Sequence, residues 1–222
     1  PLQVAFKEGG YSVYGTGKLF HHPAGGVDLR GWDEFYVRTD TQKQSGWPMD
    51  GWEHGAPLPE AYPSSKFNQI NPKWAGKPFM EGGPIPNEKE QSITDTIRTN
   101  WACDVLEKNH DKPFFLALGL YAPHFPNYAP QRFFDMYPIE SIRRPEWKDD
   151  DLDDIPESVA KRFIGRKKNI HDKLLELGIV EKTLQAYLAS ISYADSLLGQ
   201  VLDTLESSDD ADNTIIVFWS DH

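Results

Sequence analysis

The chain has 222 residues, 39% of them hydrophobic, and its 34 acidic and 23 basic side chains give a formal net charge of -11. This length and hydrophobic content can form a sizeable core, whereas the acidic balance argues against nucleic acid as the main partner, because phosphate binding needs a basic surface. The single cysteine, Cys103, excludes an internal disulfide framework, and no apolar run approaches the ~20 residues of a membrane span.

Helical and strand-like stretches alternate along the chain. The helical segments predict helices over about 2–8, 89–109, 130–136 and 181–206. The short apolar runs predict a strand or turn over 11–17 and buried strands over 113–119 and 213–219. Strands joined by crossover helices are typical of α/β proteins, so we expect an α/β fold with a mostly parallel sheet flanked by helices.

Two long segments lack such patterns. The segment 21–88 is rich in Gly, Pro and Trp, and the residues from the short third helix to about 180 are polar. A loop as long as 21–88 inside a compact domain is usually functional or disordered, and its tryptophans argue against disorder. We therefore expect 21–88 to be a functional insertion.

Several side chains that can carry chemistry come just after predicted strands. They are Lys18, His21, His22, His124, Asp221 and His222. Taken singly, each has an ordinary alternative: Lys18 and His21 could be surface residues, and His124 a structural histidine. The adjacent carboxylate and imidazole at the end of the chain suit a divalent metal, but such pairs also occur by chance.

Because they share a position at strand ends, these residues together indicate a functional site more strongly than each does singly. Ligands in α/β folds bind at the carboxyl ends of parallel strands, where side chains converge. A lysine, histidines and a metal-binding carboxylate would form a compact cationic pocket in this acidic protein. Fixed positive charge and hydrogen-bond donors are what a tetrahedral oxyanion needs.

Four stretches of sequence carry a resemblance to a known family. They are 6–11 with 17–21, 113–119 with 123–126, 187–195 with 198–199, and 213–222. In this order they resemble the type I sulfatases of the alkaline-phosphatase-like superfamily, and most closely the iduronate-2-sulfatase-like branch. The resemblance implies an alkaline-phosphatase-like α/β fold.

The resemblance also implies roles for the basic residues. In the family, a Gly-Lys-x-x-His element supplies a lysine that binds the sulfate and a histidine near the nucleophile, matching Lys18 and His21. The histidine that follows the Pro-Phe-Phe-Leu strand contacts the sulfate and matches His124. His22 has no firm counterpart and stands as a further substrate-binding candidate.

Two cofactors follow from the same resemblance. The Ser-Asp-His element supplies two calcium ligands, which match Asp221 and His222. The nucleophile of the family is a formylglycine made from the first residue of Cys/Ser-x-Pro/Ala-x-Arg. Cys103 is followed by Asp-Val-Leu, so we predict that the nucleophile, its paired aspartates and a second sulfate-binding lysine lie outside these residues. The chain would then be a central part of a sulfatase catalytic domain, inactive by itself.

The resemblance predicts a sulfuric ester hydrolase acting on a sulfated substrate. A sulfated saccharide is favoured because tryptophans of the 21–88 insertion could stack on sugar faces, although they could equally pack beneath the loop. Two alternatives remain open. One is a phosphodiesterase or phosphonate hydrolase of the same superfamily, and the other is a saccharide-binding homologue without catalysis.

Overall fold

The computed structural model describes residues 1–20, 28, 30–36, 82–125, 127–148, 150–151, 153–164 and 170–220. They fall into two compact units. The first unit lies within Pro1–Gly55, Gln91–Ala122 and Ala194–His222, and the second within Ala56–Glu90 and Pro123–Tyr193.

Helices and short strands alternate along the described residues. The helices are α1 (Leu2–Glu8), α2 (Thr94–Leu106), α3 (Gln131–Asp135), α4 (Glu157–Ile164), α5 (Ile170–Leu177) and α6 (Val180–Glu206). The strands are β1 (Ser12–Gly17), β2 (Glu34–Tyr36), β3 (Gly82–Ile85), β4 (Phe114–Gly119) and β5 (Asn127–Pro130). Short 3-10 turns occupy Asn87–Ser92, Ile139–Ser141 and Ala211–Asn213.

The first unit contains a parallel sheet with the strand order β2-β1-β4. The register of β1 and β4 runs from Ser12 opposite Phe114 to Gly17 opposite Gly119, so the two strands end together. α1 covers this sheet through Phe6, whose ring stacks on Phe115 with 4.3 Å between centroids. Strands that run in the same direction bring their carboxyl ends to one edge, as the sequence predicted.

The second unit contains the parallel pair β3-β5. A Cβ on Gly82 would lie 2.8 Å from Cβ of Ala186, so this glycine allows α6 to approach β3 closely. The rings of Phe133 and Tyr193 meet at 5.7 Å, and both side chains are buried. This unit therefore has its own apolar core.

The predicted strand over 213–219 is wrong for the structure as it stands. Asn213 ends a 3-10 turn, and residues 214–220 belong to no strand of the described part of the chain. Ile215 is 89% exposed and Phe218 75%. An apolar, β-branched sequence favours a strand, but a strand forms only where a neighbour accepts its backbone hydrogen bonds.

Other differences have similar local causes. β4 was predicted as buried but is half-buried, because among the described residues it has β1 as its one strand neighbour and lies at the edge of the sheet. The helix predicted over 89–109 begins as a 3-10 turn and becomes α2 only at Thr94. The segment described from sequence only as polar contains α4 and α5. Among the described residues, no helix has the length and apolarity needed to cross a membrane.

Candidate functional site

Lys18 lies at the carboxyl end of β1, as predicted. Its backbone N–H donates a 2.9 Å hydrogen bond to the carbonyl oxygen of Gly119, the last residue of β4. Gly17, just before it, has φ 85°, a left-handed conformation that favours glycine. The position of Lys18 is therefore fixed by the backbone of two adjacent strand ends.

The close approach of these strand ends requires glycine on both sides. A Cβ on Gly17 would lie 1.9 Å from the carbonyl oxygen of Gly119, and a Cβ on Gly119 would lie 2.5 Å from the Lys18 backbone. No other residue fits such distances without a backbone shift. The two glycines thus set where the Lys18 side chain begins.

The side chain of Lys18 lies near an aromatic ring of the loop after β4. Its Nζ atom is 5.9 Å from the ring centroid of Tyr121. An ammonium at this distance over a ring face is attracted by the negative π cloud. Tyr121 therefore contributes to the direction in which the ammonium points.

The loop that carries Tyr121 is held by Asp95, in the first turn of α2. The backbone N–H groups of Tyr121 and Ala122 both donate to Oδ2 of Asp95, each at 2.9 Å. Asp95 is only 2% exposed. Hydrogen bonds to a buried carboxylate are stronger than those between neutral groups, so this contact anchors the loop firmly.

His124 belongs to the second unit and is half-buried. Its Nδ1 atom lies 2.5 Å from the carbonyl oxygen of Phe125. A carbonyl oxygen only accepts, so Nδ1 carries the hydrogen and a neutral ring presents Nε2 as an acceptor. The contact favours the tautomer with its hydrogen on Nδ1.

A buried asparagine fixes the backbone beside His124. Nδ2 of Asn127 donates to the carbonyl oxygen of Pro123 at 2.7 Å and to Oγ of Ser190 at 3.2 Å. The side chain of Asn127 is fully buried. The turn that presents His124 is therefore linked to α6.

The other predicted site residues cannot be placed. His21, His22, Asp221 and His222 lie outside the described residues, so the predicted convergence of the whole set stays a prediction. The described residues contain no group of three or more His, Cys, Asp or Glu that could hold a metal ion. Sequence reasoning missed Asp95, Tyr121 and Asn127, because their importance comes from burial and loop contacts that spacing alone does not reveal.

Cys103 is a buried residue without a disulfide partner. It lies on α2, and its Sγ is 3.9 Å from the carbonyl oxygen of Gln200. Burial raises the pKa of the thiol, which disfavours the nucleophilic thiolate. The geometry gives Cys103 no catalytic role.

One stretch does satisfy the literal pattern Cys/Ser-x-Pro/Ala-x-Arg, although the nucleophile was predicted to lie outside these residues. It runs from Ser158 to Arg162. Ser158 and Val159 are exposed on α4, where Lys161 pairs with Glu157 one turn earlier. A catalytic nucleophile needs a base and charge-stabilising donors around it, so an exposed helical serine is a chance match to the pattern.

The fold and the fixed lysine define a class of protein. It is an α/β protein with a cationic side chain held at the carboxyl ends of parallel strands, an arrangement suited to an oxyanion. The model of the sulfatase family matches residues 2–222. The chain therefore belongs to the sulfatase family, which confirms the resemblance and the expected fold class.

Curated relatives match nearly the whole chain. It is 36% identical to a sulfatase of Formosa agariphila over 100% of the chain and 41% of the relative. It is 28% identical to the iduronate 2-sulfatase of Mus musculus over 98% and 39%, respectively. The choline-sulfatase of Rhizobium meliloti is 26% identical over 97% and 40%. The chain thus spans about two fifths of the length of these relatives.

Proposed function

We propose that the protein containing this chain is a sulfuric ester hydrolase, and that its substrate is a sulfated saccharide. Membership of the sulfatase family along residues 2–222 carries the proposal. The fixed position of Lys18 at the ends of β1 and β4 supports it. A sulfate ester presents oxygens that an ammonium group can neutralise as the S–O bond breaks.

We assign distinct roles to the basic residues. Lys18 binds the non-bridging sulfate oxygens, and His124 is a second group that contacts the sulfate. His21 orients the nucleophile or acts as a general base beside it. His22 is a further substrate-binding candidate, from the same segment as His21.

Calcium and formylglycine belong to this proposal through the family. The donor chemistry fits calcium in part: the Asp221 carboxylate is a hard oxygen ligand of the kind calcium prefers, whereas the His222 imidazole is more usual for transition metals. Asp221 and His222 would hold the ion together with further ligands, since the described residues contain no group that could hold a metal ion. When bound, the ion supplies positive charge to the sulfate oxygens.

The names of two relatives bear on the substrate class. The name of the mouse relative refers to iduronate, a sugar acid, and that of the Rhizobium relative refers to choline. The tryptophans of the 21–88 insertion could stack on sugar faces, and most of that insertion lies outside the described residues. Hydrolysis of saccharide sulfates and of choline sulfate should therefore be compared directly.

The full-length protein tests the proposal. Sulfate released from 2-O- and 6-O-sulfated monosaccharides, choline sulfate and 4-nitrophenyl sulfate would be measured by ion chromatography, with 4-nitrophenyl phosphate in parallel. Preferential release from a saccharide ester supports the proposal, and preference for choline sulfate overturns its substrate class. Phosphate release without sulfate release would favour the phosphoesterase alternative. Saccharide binding without hydrolysis would favour the non-catalytic one.

A further inference from the structure

We propose that Asp95 and Tyr121 are positioning residues for Lys18. Asp95 fixes the loop that follows β4, and this loop holds the Tyr121 ring beside the Lys18 ammonium, so that the ammonium points at the sulfate. This role deepens the proposed function, because it depends on Lys18 being the group that binds the sulfate. All of these residues lie in the first unit.

The backbone alone cannot orient the lysine. The hydrogen bond from the Lys18 N–H to Gly119 fixes where the side chain begins. Four further carbons separate that point from the ammonium, and a lysine side chain has many rotamers. The Tyr121 ring, 5.9 Å from Nζ, favours those rotamers that place the ammonium over its face.

The Tyr121 ring can do this only if its loop is fixed. The loop begins after Gly119, at the end of β4, which within the described part of the chain pairs with β1 alone, so no second strand of that part holds the loop. The two backbone hydrogen bonds to Asp95 take the place of such a strand. Asp95 sits in the first turn of α2, where the helix N-terminus favours a negative charge.

The same contacts explain why a buried carboxylate is present. One oxygen atom of Asp95 accepts both N–H groups, and an ionised oxygen does this better than a neutral one. Asparagine would keep the shape and lose the charge. Asp95→Asn should therefore loosen the loop without leaving a cavity.

Three variants of the full-length protein and two controls isolate the effect. Tyr121→Leu removes the ring, and we expect it to weaken the binding of inorganic sulfate about tenfold. Tyr121→Phe keeps the ring and should retain more of the affinity. Asp95→Asn should weaken sulfate binding in the same direction. The matched controls are Tyr187→Leu, exposed on α6, and Asp104→Asn, exposed on the same helix as Asp95.

A double-mutant cycle separates positioning from general damage. The affinity for inorganic sulfate would be measured by titration calorimetry for wild type, Lys18→Ala, Tyr121→Leu and the double variant, with melting temperatures alongside. If Tyr121 acts through the lysine, its substitution has little further effect once Lys18 is alanine. The same cycle would be built for Asp95→Asn.

The outcomes are distinct. Losses that disappear in the Lys18→Ala background support the positioning role, and losses that add to those of Lys18→Ala overturn it. Wild-type affinity in Tyr121→Leu or Asp95→Asn also overturns it. A wild-type protein that binds sulfate and hydrolyses no sulfate ester contradicts the proposed function alone, and one that does not bind sulfate contradicts both.

Discussion

Two stretches of the first unit have nearly the same apolar pattern and very different surroundings. Phe114–Gly119 forms β4, in register with β1 and half-buried, whereas residues 215–219 are exposed and belong to no strand of the described chain. Both were predicted as buried strands. The difference shows that side-chain pattern gives a tendency towards strand, while pairing with another segment decides whether a strand forms.

The two stretches also differ in how they position candidate functional residues. β4 ends in a close contact between Gly119 and Gly17, and this contact fixes the first atoms of Lys18. The exposed run leads to the candidate metal ligands Asp221 and His222, which lie outside the described residues. A paired strand end can therefore fix where a side chain begins, whereas residues 215–219 pair with no strand of the described chain.

The largest expected effect is on stability and comes from disrupting the contact between Gly17 and Gly119, where β1 and β4 end. Gly17→Ala would put a Cβ 1.9 Å from the Gly119 carbonyl oxygen at a residue with φ 85°. We expect a loss of about 4 kcal/mol or more in the free energy of unfolding, or failure to fold. Urea denaturation of the 222-residue chain measures it.

A second glycine provides the matched control. Gly10 has φ 87° and open space around the position of a Cβ. Gly10→Ala therefore carries only the strain of the left-handed backbone, about 1–2 kcal/mol. Equal losses for the two variants would show that the strand contact contributes nothing beyond backbone strain.

The next largest expected effect is on kcat/KM and concerns Lys18, which follows the contact between Gly17 and Gly119. If the full-length protein hydrolyses sulfate esters as proposed, Lys18→Ala should lower its kcat/KM by about 10²–10³, since it removes positive charge that would neutralise the sulfate oxygens. The melting temperature should stay near that of wild type, because the backbone hydrogen bond remains. Lys148→Ala, an exposed lysine without an assigned role, is the control. Near-normal kinetics for Lys18→Ala would show that Lys18 does not bind the sulfate.

These comparisons show what the sequence could predict. The positions of α6 and β4 followed from their apolar residues, and that of α1 from the glycines that end it. β1 was predicted only as a strand or turn. Lys18 was found because a glycine turn and a strand end are both visible in sequence. β3 was missed because Gly82-Gly-Pro84 has little strand propensity, and its parallel partner β5 supplies the pairing. Asp95 was missed because burial of a helix-start aspartate against a distant loop cannot be read from its neighbours.

A third prediction tests the two apolar stretches against each other. Phe115→Ala removes a ring that stacks on Phe6, and should lower the free energy of unfolding by about 2–3 kcal/mol. Phe218→Ala should change it by less than about 0.5 kcal/mol, because that ring is 75% exposed. Both are measured by urea denaturation of the 222-residue chain. A large loss for Phe218→Ala would show that the run is covered in solution.

The same substitution, Phe218→Ala, can be measured in the full-length protein. If residues 215–219 form the buried strand predicted from their pattern, Phe218→Ala should cost about 3 kcal/mol or more there. A loss confined to the longer protein would place the covering partner outside these residues. Equal, small losses in both would contradict the predicted strand altogether.

The smallest effect concerns a polar contact at the start of the paired sheet. The hydrogen bond from Lys7 holds the pKa of Asp33 below its ordinary value, and the Val13 N–H, 2.8 Å from Oδ2, acts in the same direction. A carboxyl with a lowered folded pKa stabilises the fold above its unfolded pKa and loses that contribution as the pH falls through the folded pKa. The difference in unfolding free energy between wild type and Asp33→Asn should therefore shrink from pH 7 to below about pH 4. This difference should stay under about 1 kcal/mol, because Asp33 is partly exposed.

Lys7→Ala should remove only part of the Asp33 contribution, since Val13 lies in β1 and still donates. If wild type and Asp33→Asn had parallel pH profiles, the carboxylate would have no part in holding the start of β1, and the stability of the paired region would come from strand pairing and apolar packing alone.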